Sequence, residues 1–438
     1  MIVLERKRKI ENKIQSDLKH NFYHNHIEPW YNAYALQGVV FGGLLPMLLP
    51  LMIIKTGSST HVGLVMAVLS LGGLSAPIWG GLADRFRLHR TLLSGGMIFA
   101  TLALCLFIFS GQPWIWILLA FIIGIGASSS STVANLFVVE DHPKPEWDER
   151  IGWLQTYYGI GQVAGLFIAG PLSQLDLKLG MLIAGMLCAL SALIGWWTTR
   201  TPGKPLKKKP VLRRAPRLGD WGFISPQRLF HHLNLNAIRK TGKLIKTKFG
   251  VLLVVWLLTI GGSAAFFSQY PIVMQKVFSI PPIMSSTAFA IMAGLGLLLY
   301  SPAGSWSEKI SSVRVLRFAL GFRWIAYVLL FVFGFVSFGL KNGIVFLILA
   351  VVVNAWSIIS VSGTSLAAQL SQQDEGEGMG IFNAVNSLAG VIGAAFGGLI
   401  AGLWGYRFIA VLAVGGIGIG LLLSLLLPVF STKSNATD

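Results

Sequence analysis

Twelve stretches of the chain are each long and apolar enough to cross a lipid bilayer. At 1.5 Å of rise per residue, about twenty helical residues span the roughly 30 Å hydrocarbon layer. The runs fall at about 31–54, 61–82, 91–110, 114–138, 151–173, 180–199, 249–272, 284–303, 315–338, 343–368, 379–402 and 407–428. In lipid every backbone N–H and C=O must be satisfied within the protein, so runs of this length have to be helices. Strands of a membrane β-barrel are excluded, being half as long and alternating in polarity. Composition agrees, with hydrophobic residues at 54% and charged residues at 12%, where a soluble domain carries about 25% charge. The expected fold class is all-α integral membrane.

The positions of the charges then orient the spans. Thirty of the 35 Lys and Arg lie in segments that share a side with the N-terminus, and only Lys55, Lys178, Lys276, Lys341 and Arg407 lie opposite. Basic residues are retained on the cytoplasmic side, so both termini are expected inside and the plasma (inner) membrane is the expected location. The net charge of +18 is thus a matter of topology and gives no support for nucleic-acid binding. Residues 1–30 lack the apolar centre of a signal peptide and read as a basic cytoplasmic segment. Residues 200–248 hold fourteen basic residues against the single acid Asp220. That density suits contact with anionic lipid headgroups. It also divides the chain into an N-terminal six-helix bundle at 31–199 and a C-terminal one at 249–428, with a tail at 429–438. Cys105 and Cys188 sit inside apolar runs, and no Cys/His grouping has metal-ligand spacing, so neither metal nor cofactor is expected.

The two bundles repeat each other. Gly80, Asp84, Arg85 and Arg90 after span two match Gly304, Glu308, Lys309 and Arg314 after span eight at an offset of 224. Glu149, Gly152, Gly165 and Gly170 match Glu377, Gly380, Gly393 and Gly398 at an offset of 228. Two matches in the same order point to two pseudo-symmetric six-helix halves, an arrangement associated with transporters.

Gly80-x-Leu-Ala-Asp84-Arg85 with Arg90, in a short loop between spans two and three, resembles the loop motif of the major facilitator superfamily (MFS). The degenerate copy at Gly304–Arg314 lies where that family places its second one. The resemblance covers about residues 31–428 and implies a twelve-helix transporter whose loop charges form a latch that gates without binding substrate. Where the family's pattern has glycine, this chain has Arg87. Many proton-coupled exporters of the family carry Arg four residues before a span-four Gly and Gln just before it; aligned on Gly124, this chain has Ala120 and Ile123. Gly161, Gly165 and Gly170-Pro171 in span five resemble a loosened form of the antiporter Gly-Pro motif.

Polar groups inside hydrocarbon are costly and mark transport paths. No Asp, Glu or His falls in the middle of a span, and Arg323 is the only deep basic residue. The superfamily fold implies that span nine is peripheral, where snorkelling or packing is the expected role of Arg323. The same fold implies a cavity lined by spans one, four, seven and ten. These carry the candidates Gln37, Ser128, Ser129, Thr132, Asn135, Ser263, Gln269, Tyr270, Asn354, Trp356 and Ser357, with Tyr157 and Gln162 of span five beside them. For any one hydroxyl, hydrogen bonding between helices is the competing role. A lining of hydroxyls, amides and aromatics without fixed charge suits a neutral, zwitterionic or amphipathic solute. The expected function is transport by alternating access, as a drug- or metabolite-type exporter. A facilitator or importer of a neutral nutrient and a transport-dead membrane sensor remain as alternatives. No catalytic constellation and no Walker-type phosphate loop is present, so neither an enzyme nor an ATP-driven pump is expected. The partners expected are a small-molecule substrate and lipid, with the chain acting as a monomer.

Overall fold

A computed structural model of the chain describes residues 28–142, 147–199, 247–336, 341–371 and 375–429. The basic segment 1–30, apart from its last three residues, nearly all of the 200–248 loop and the tail after 429 lie outside the described residues. Among the described residues there are helices and turns but no strands.

Twelve helical stretches follow the twelve apolar runs. Helix α1 is continuous over Tyr31–Thr56, with α-helical ends and a π-helical centre at Gly38–Leu44. Helix α2 runs through Ser59–Leu71, a tight 3-10 turn at Gly72–Ser75, and Ala76–Phe86. Its start is fixed by a capping box, in which the Ser58 hydroxyl accepts from the His61 amide and the His61 ring accepts from the Ser58 amide. Helices α3 to α6 are His89–Phe107, Pro113–Asp141, Trp147–Leu175 and Leu177–Thr198. Helix α7, Lys248–Phe267, breaks at Ser268-Gln269 and resumes as Tyr270–Phe278. Helices α8 to α12 are Pro282–Ile310, Ser312–Phe333, Lys341–Leu370, Glu375–Leu403 and Ile409–Ser424.

The described helices pack into two compact units. One gathers the described parts of Met1–Met52, Ser75–Thr201 and Pro282–Gly294; the other gathers those of Ile53–Leu74, Pro202–Pro281 and Leu295–Asp438. Each unit therefore borrows half a helix from the opposite end of the sequence. In the first unit the opening half of α8 lies on α5, where the Ser286 hydroxyl donates to the Leu166 carbonyl. In the second unit the opening half of α2 lies on α11. Counting antiparallel spans from α1 puts each of these borrowed segments at the membrane face away from the termini.

Glycines make both kinds of contact possible, and the repeat seen in the sequence assigns them matching places. A side chain at Gly165 of α5 would run into the Val39 carbonyl of α1, and one at Gly393 of α11 into the Gly261 carbonyl of α7. Five residues on, a Cβ at Gly170 would meet Ile283 Cα of α8 at 3.1 Å, and one at Gly398 would meet Gly63 Cα of α2 at 2.6 Å. The earlier glycine of each pair fastens its helix within its own half. The later one seats the borrowed segment.

The loop repeat has a backbone counterpart too. Arg87, after α2, takes the left-handed conformation at φ 54°. Ser311, at the same offset of 224 and between α8 and α9, has φ 127°. At Arg87 the turn for which the family uses glycine is thus kept with a side chain present, at a cost of about 1 kcal/mol for a non-glycine residue. Arg87→Gly is expected to raise stability by about 1 kcal/mol. Thermal unfolding in detergent against the wild type checks this, with Arg90→Gly, on a helical residue, destabilising as the control.

Candidate functional site

The candidate residues fall into two sets, one in each unit. In the first, Gln37 of α1 is buried, and its Nε2 donates to Ser130 Oγ of α4 at 2.7 Å. The contact adjoins the π-helical stretch of α1, where the register of side chains is shifted. Ser129 donates to the Leu92 carbonyl of α3 at 3.1 Å. Ser131 donates back to the Ser128 carbonyl at 3.3 Å. Part of the serine cluster thus joins helices, the competing role named above. Asn135 donates to the Ser131 carbonyl at 2.8 Å and leaves its amide oxygen facing Gln155 of α5, whose Nε2 is 3.5 Å away. Thr132 stands beside Gly80, whose Cβ would lie 3.8 Å from its methyl. Tyr157 packs edge-on against Tyr31 at 5.8 Å, and Gln162 lies against Gly42 of α1.

In the second unit, Ser263 donates to the Thr259 carbonyl of its own helix at 2.9 Å. Gln269 and Tyr270 flank the break in α7 and are buried. Gln269 Nε2 donates to the Ser59 carbonyl at the start of α2 at 3.1 Å, and Tyr270 packs against Phe266 and Phe267. Gln269 therefore belongs to the packing around the seated α2 segment. Asn354 donates to the Ala350 carbonyl at 2.8 Å, and its amide oxygen is buried without a partner. Ser357, on the same face of α10, lies against Gly296 of α8. Trp356 points elsewhere, 6.2 Å from the Trp256 ring and 5.6 Å from the Arg323 guanidinium. Trp256 in turn packs on Phe382 and donates to Asn386 Oδ1 at 3.1 Å.

Of the two roles expected for Arg323, the structure fits packing and not snorkelling. Arg323 is the twelfth of 22 residues in α9 and only 3% exposed, so it neither snorkels nor faces lipid.

Of the loop motif, the side chains of Asp84 and Arg85 lie outside the described residues. Arg90 stacks over Trp196 of α6, its guanidinium carbon 4.1 Å from the ring centroid. Gly304 has open space around it. Glu308, Lys309 and Arg314 are exposed and form no ion pair among the described residues.

One charged cluster has no signature in the sequence. Glu28, just before α1, meets His142 Nε2 at 2.6 Å and Arg150 Nη1 at 3.6 Å, and accepts from Trp30 Nε1 at 2.7 Å. It ties the start of α1 to the end of α4 and the start of α5. Its members are far apart in sequence, and nothing in their spacing brings them together. No group of three or more His, Cys, Asp or Glu able to hold a metal occurs among the described residues.

These features have relatives. The family model of the Major Facilitator Superfamily matches residues 31–370. Multidrug resistance protein MdtG of Escherichia coli is 24% identical over 419 residues, which cover 92% of this chain and 93% of that protein. Tetracycline resistance protein, class C, also of Escherichia coli, is 28% identical over 186 residues, 41% of this chain and 46% of that protein. Among solved structures, the D-xylose–proton symporter superposes with a TM-score of 0.66 at 13% identity, covering 92% of this chain and 97% of that one. The nucleoside transporter NupG gives 0.63 at 14%, covering 91% and 97%. At such identities the structures show a shared fold. With a family model matched from α1 to the end of α10 on a duplicated twelve-helix frame, this chain is a multi-pass membrane protein that belongs to the Major Facilitator Superfamily.

Proposed function

We propose that the chain is a secondary transporter that works by alternating access and exports a small amphipathic solute from the cytoplasm. The observation that carries this reading is the pair of borrowed half-helices, α2 on α11 and α8 on α5, seated through backbone-to-backbone glycine contacts. Such contacts need little side-chain rearrangement to part and re-form, which suits a surface that opens and closes in each cycle. Glu308, Lys309 and Arg314, exposed and without an ion pair among the described residues, fit the same cycle. A latch that holds the outward-open state should be released when the face away from the termini is closed.

Export rather than import is supported by the multidrug and tetracycline resistance relatives. The half-buried Trp356 supports an amphipathic solute, offering a flat apolar face beside a few polar groups. Facilitated import of a neutral polar solute is the second reading, favoured by the uncharged pair of Gln37 and Ser130. In either reading the termini are cytoplasmic, by the distribution of Lys and Arg. The 200–248 loop rests on anionic headgroups, and the protein acts as a monomer in the inner membrane without enzymatic activity.

The test is efflux and uptake in proteoliposomes against tetracycline, a panel of amphipathic drugs, nucleosides and pentoses. At least one amphipathic compound is expected to move ten times faster than through empty vesicles. Asp84→Asn should slow that movement at least fivefold with substrate affinity within twofold, because a latch residue biases conformations and does not touch solute. Movement of nucleosides or pentoses alone would favour the second reading. No movement of any compound would reject both.

A further inference from the structure

Arg323 is a buried cation with no carboxylate partner among the described residues. Eleven residues into α9, it is about 17 Å from the helix start at 1.5 Å per residue. A guanidinium stays protonated at any pH a cell reaches. An unpaired charge held out of water is strongly destabilising, and intramembrane charges are kept where they pair or bind. The sequence holds no acid between Glu308 and Asp374. Among the described residues no carboxylate reaches Arg323, and its Nε is buried without a hydrogen-bond partner.

What does surround it is specific. The Trp356 ring lies 5.6 Å from the guanidinium and the Tyr327 ring 6.0 Å. The Tyr327 hydroxyl is buried beside both Ser263 and Arg323. The two rings offset part of the charge through their faces, and the guanidinium Nε is left without a hydrogen-bond partner among the described residues. The unpartnered Nε, the Tyr327 hydroxyl and an indole wall therefore converge between α7, α9 and α10. Trp356 is half-buried where Tyr327 is fully enclosed, so the indole forms the open side of this set.

We propose that Arg323 is the anion-recognition residue of the substrate site, and that the transported solute is an amphipathic organic carboxylate. The guanidinium takes the carboxylate through its planar fork, Tyr327 donates a further hydrogen bond, and Trp356 lies along the apolar body. This narrows the transport reading given above and rests on it.

The test uses the full chain in lipid nanodiscs and three matched pairs of probes, each an acid and its uncharged amide: benzoate, 1-naphthoate and indole-3-acetate. Calorimetric titration of the wild type should show at least one acid bound ten times more tightly than its amide. Arg323→Met should bring that ratio to within twofold of one and leave the amide's affinity within twofold of wild type. The amide titration also reports that the variant is folded. If Arg323→Met does not fold, Arg323→Lys carries the test, since it keeps the charge but loses the fork, and the ratio should fall at least threefold. Trp356→Leu, on a different helix, should weaken acid and amide together. Equal binding of acid and amide by the wild type in all three pairs would overturn the proposal. So would a ratio unchanged by substitution at 323. Counterflow of the same probes in proteoliposomes separates the two readings. Amides that move without any acid preference remove this inference alone, whereas no movement of either form removes the transport reading on which it rests.

Discussion

Gly398→Ala is expected to lower transport at least tenfold while leaving the amount of folded protein in the membrane near wild type. A Cβ at 398 would stand 2.6 Å from Gly63 Cα and 2.8 Å from the Ser59 carbonyl oxygen. Both neighbours are backbone, so neither can swing aside, and α2 must move off α11. Overpacking of this kind costs about 1–3 kcal/mol. At the upper end that shifts a two-state balance by about a hundredfold. If the α2–α11 surface parts in one half of the cycle, only the closed state bears the cost, and the protein accumulates with that face open. Gly57→Cys, in the loop before α2, should then react faster with a membrane-impermeant thiol reagent in the Gly398→Ala background. Gly170→Ala should act in the same direction but more weakly, because Ile283 Cα would be 3.1 Å away. Gly165→Ala and Gly393→Ala should differ in kind. They press on α1 and α7 within their own halves, where no parting is needed, and should lower abundance. Equal loss of abundance for Gly398→Ala and Gly165→Ala, or full activity of Gly398→Ala, would show that the two glycine sets do not differ in this way.

The distinction between these glycines was half legible in the sequence. The offset of 228 pairs Gly165 with Gly393 and Gly170 with Gly398, because duplicated halves keep their close contacts. Which helix each glycine meets depends on tertiary packing, and no local pattern encodes it. The spans were legible for a simpler reason, since bilayer thickness imposes run length directly. Their ends drifted where polar residues extend a helix past the hydrocarbon. Helix α8 runs on to Ile310, beyond the apolar limit near 303. The π-helical centre of α1 has no signature beyond its glycines, and its register is set against α5, where Gly42 meets Gln162. Arg323 was visible as a deep charge, but a helix counted as peripheral still has an inner face. Only the packing of α9 on α10 brings Arg323 to Trp356. Gln269 reads in the sequence only as a polar residue near the end of span seven; the break in α7 turns it into a seat for the start of α2.

Energy coupling gives the second large expected effect. A transporter that couples to protons through its own side chains needs a titratable group that is alternately exposed across the membrane, with a pKa moved into the working range by burial. Every Asp, Glu and His within the twelve helices lies toward a helix end, such as His61 and His89 in first turns and Asp84 and Glu308 in last ones. Ala120 stands at the place in α4 where the family resemblance implied an arginine for a proton-coupled exporter, and it is buried. Arg323 cannot substitute, since it does not release its proton. An imposed gradient of two pH units is therefore expected to leave a non-titrating solute distributed evenly, within twofold, across proteoliposome membranes. One-to-one proton exchange would drive about a hundredfold accumulation, because each unit of pH is worth about 1.4 kcal/mol. A carboxylate held at Arg323 behaves differently, since it moves as a charge and an imposed membrane potential should bias its distribution. The proton-driven alternative would be established by accumulation of the uncharged amide under the pH gradient alone, persisting in an Asp84→Asn/Glu308→Gln double variant. Potential-driven accumulation of the acid, with its amide indifferent to both gradients, is the result expected from a site whose one buried charge is permanent.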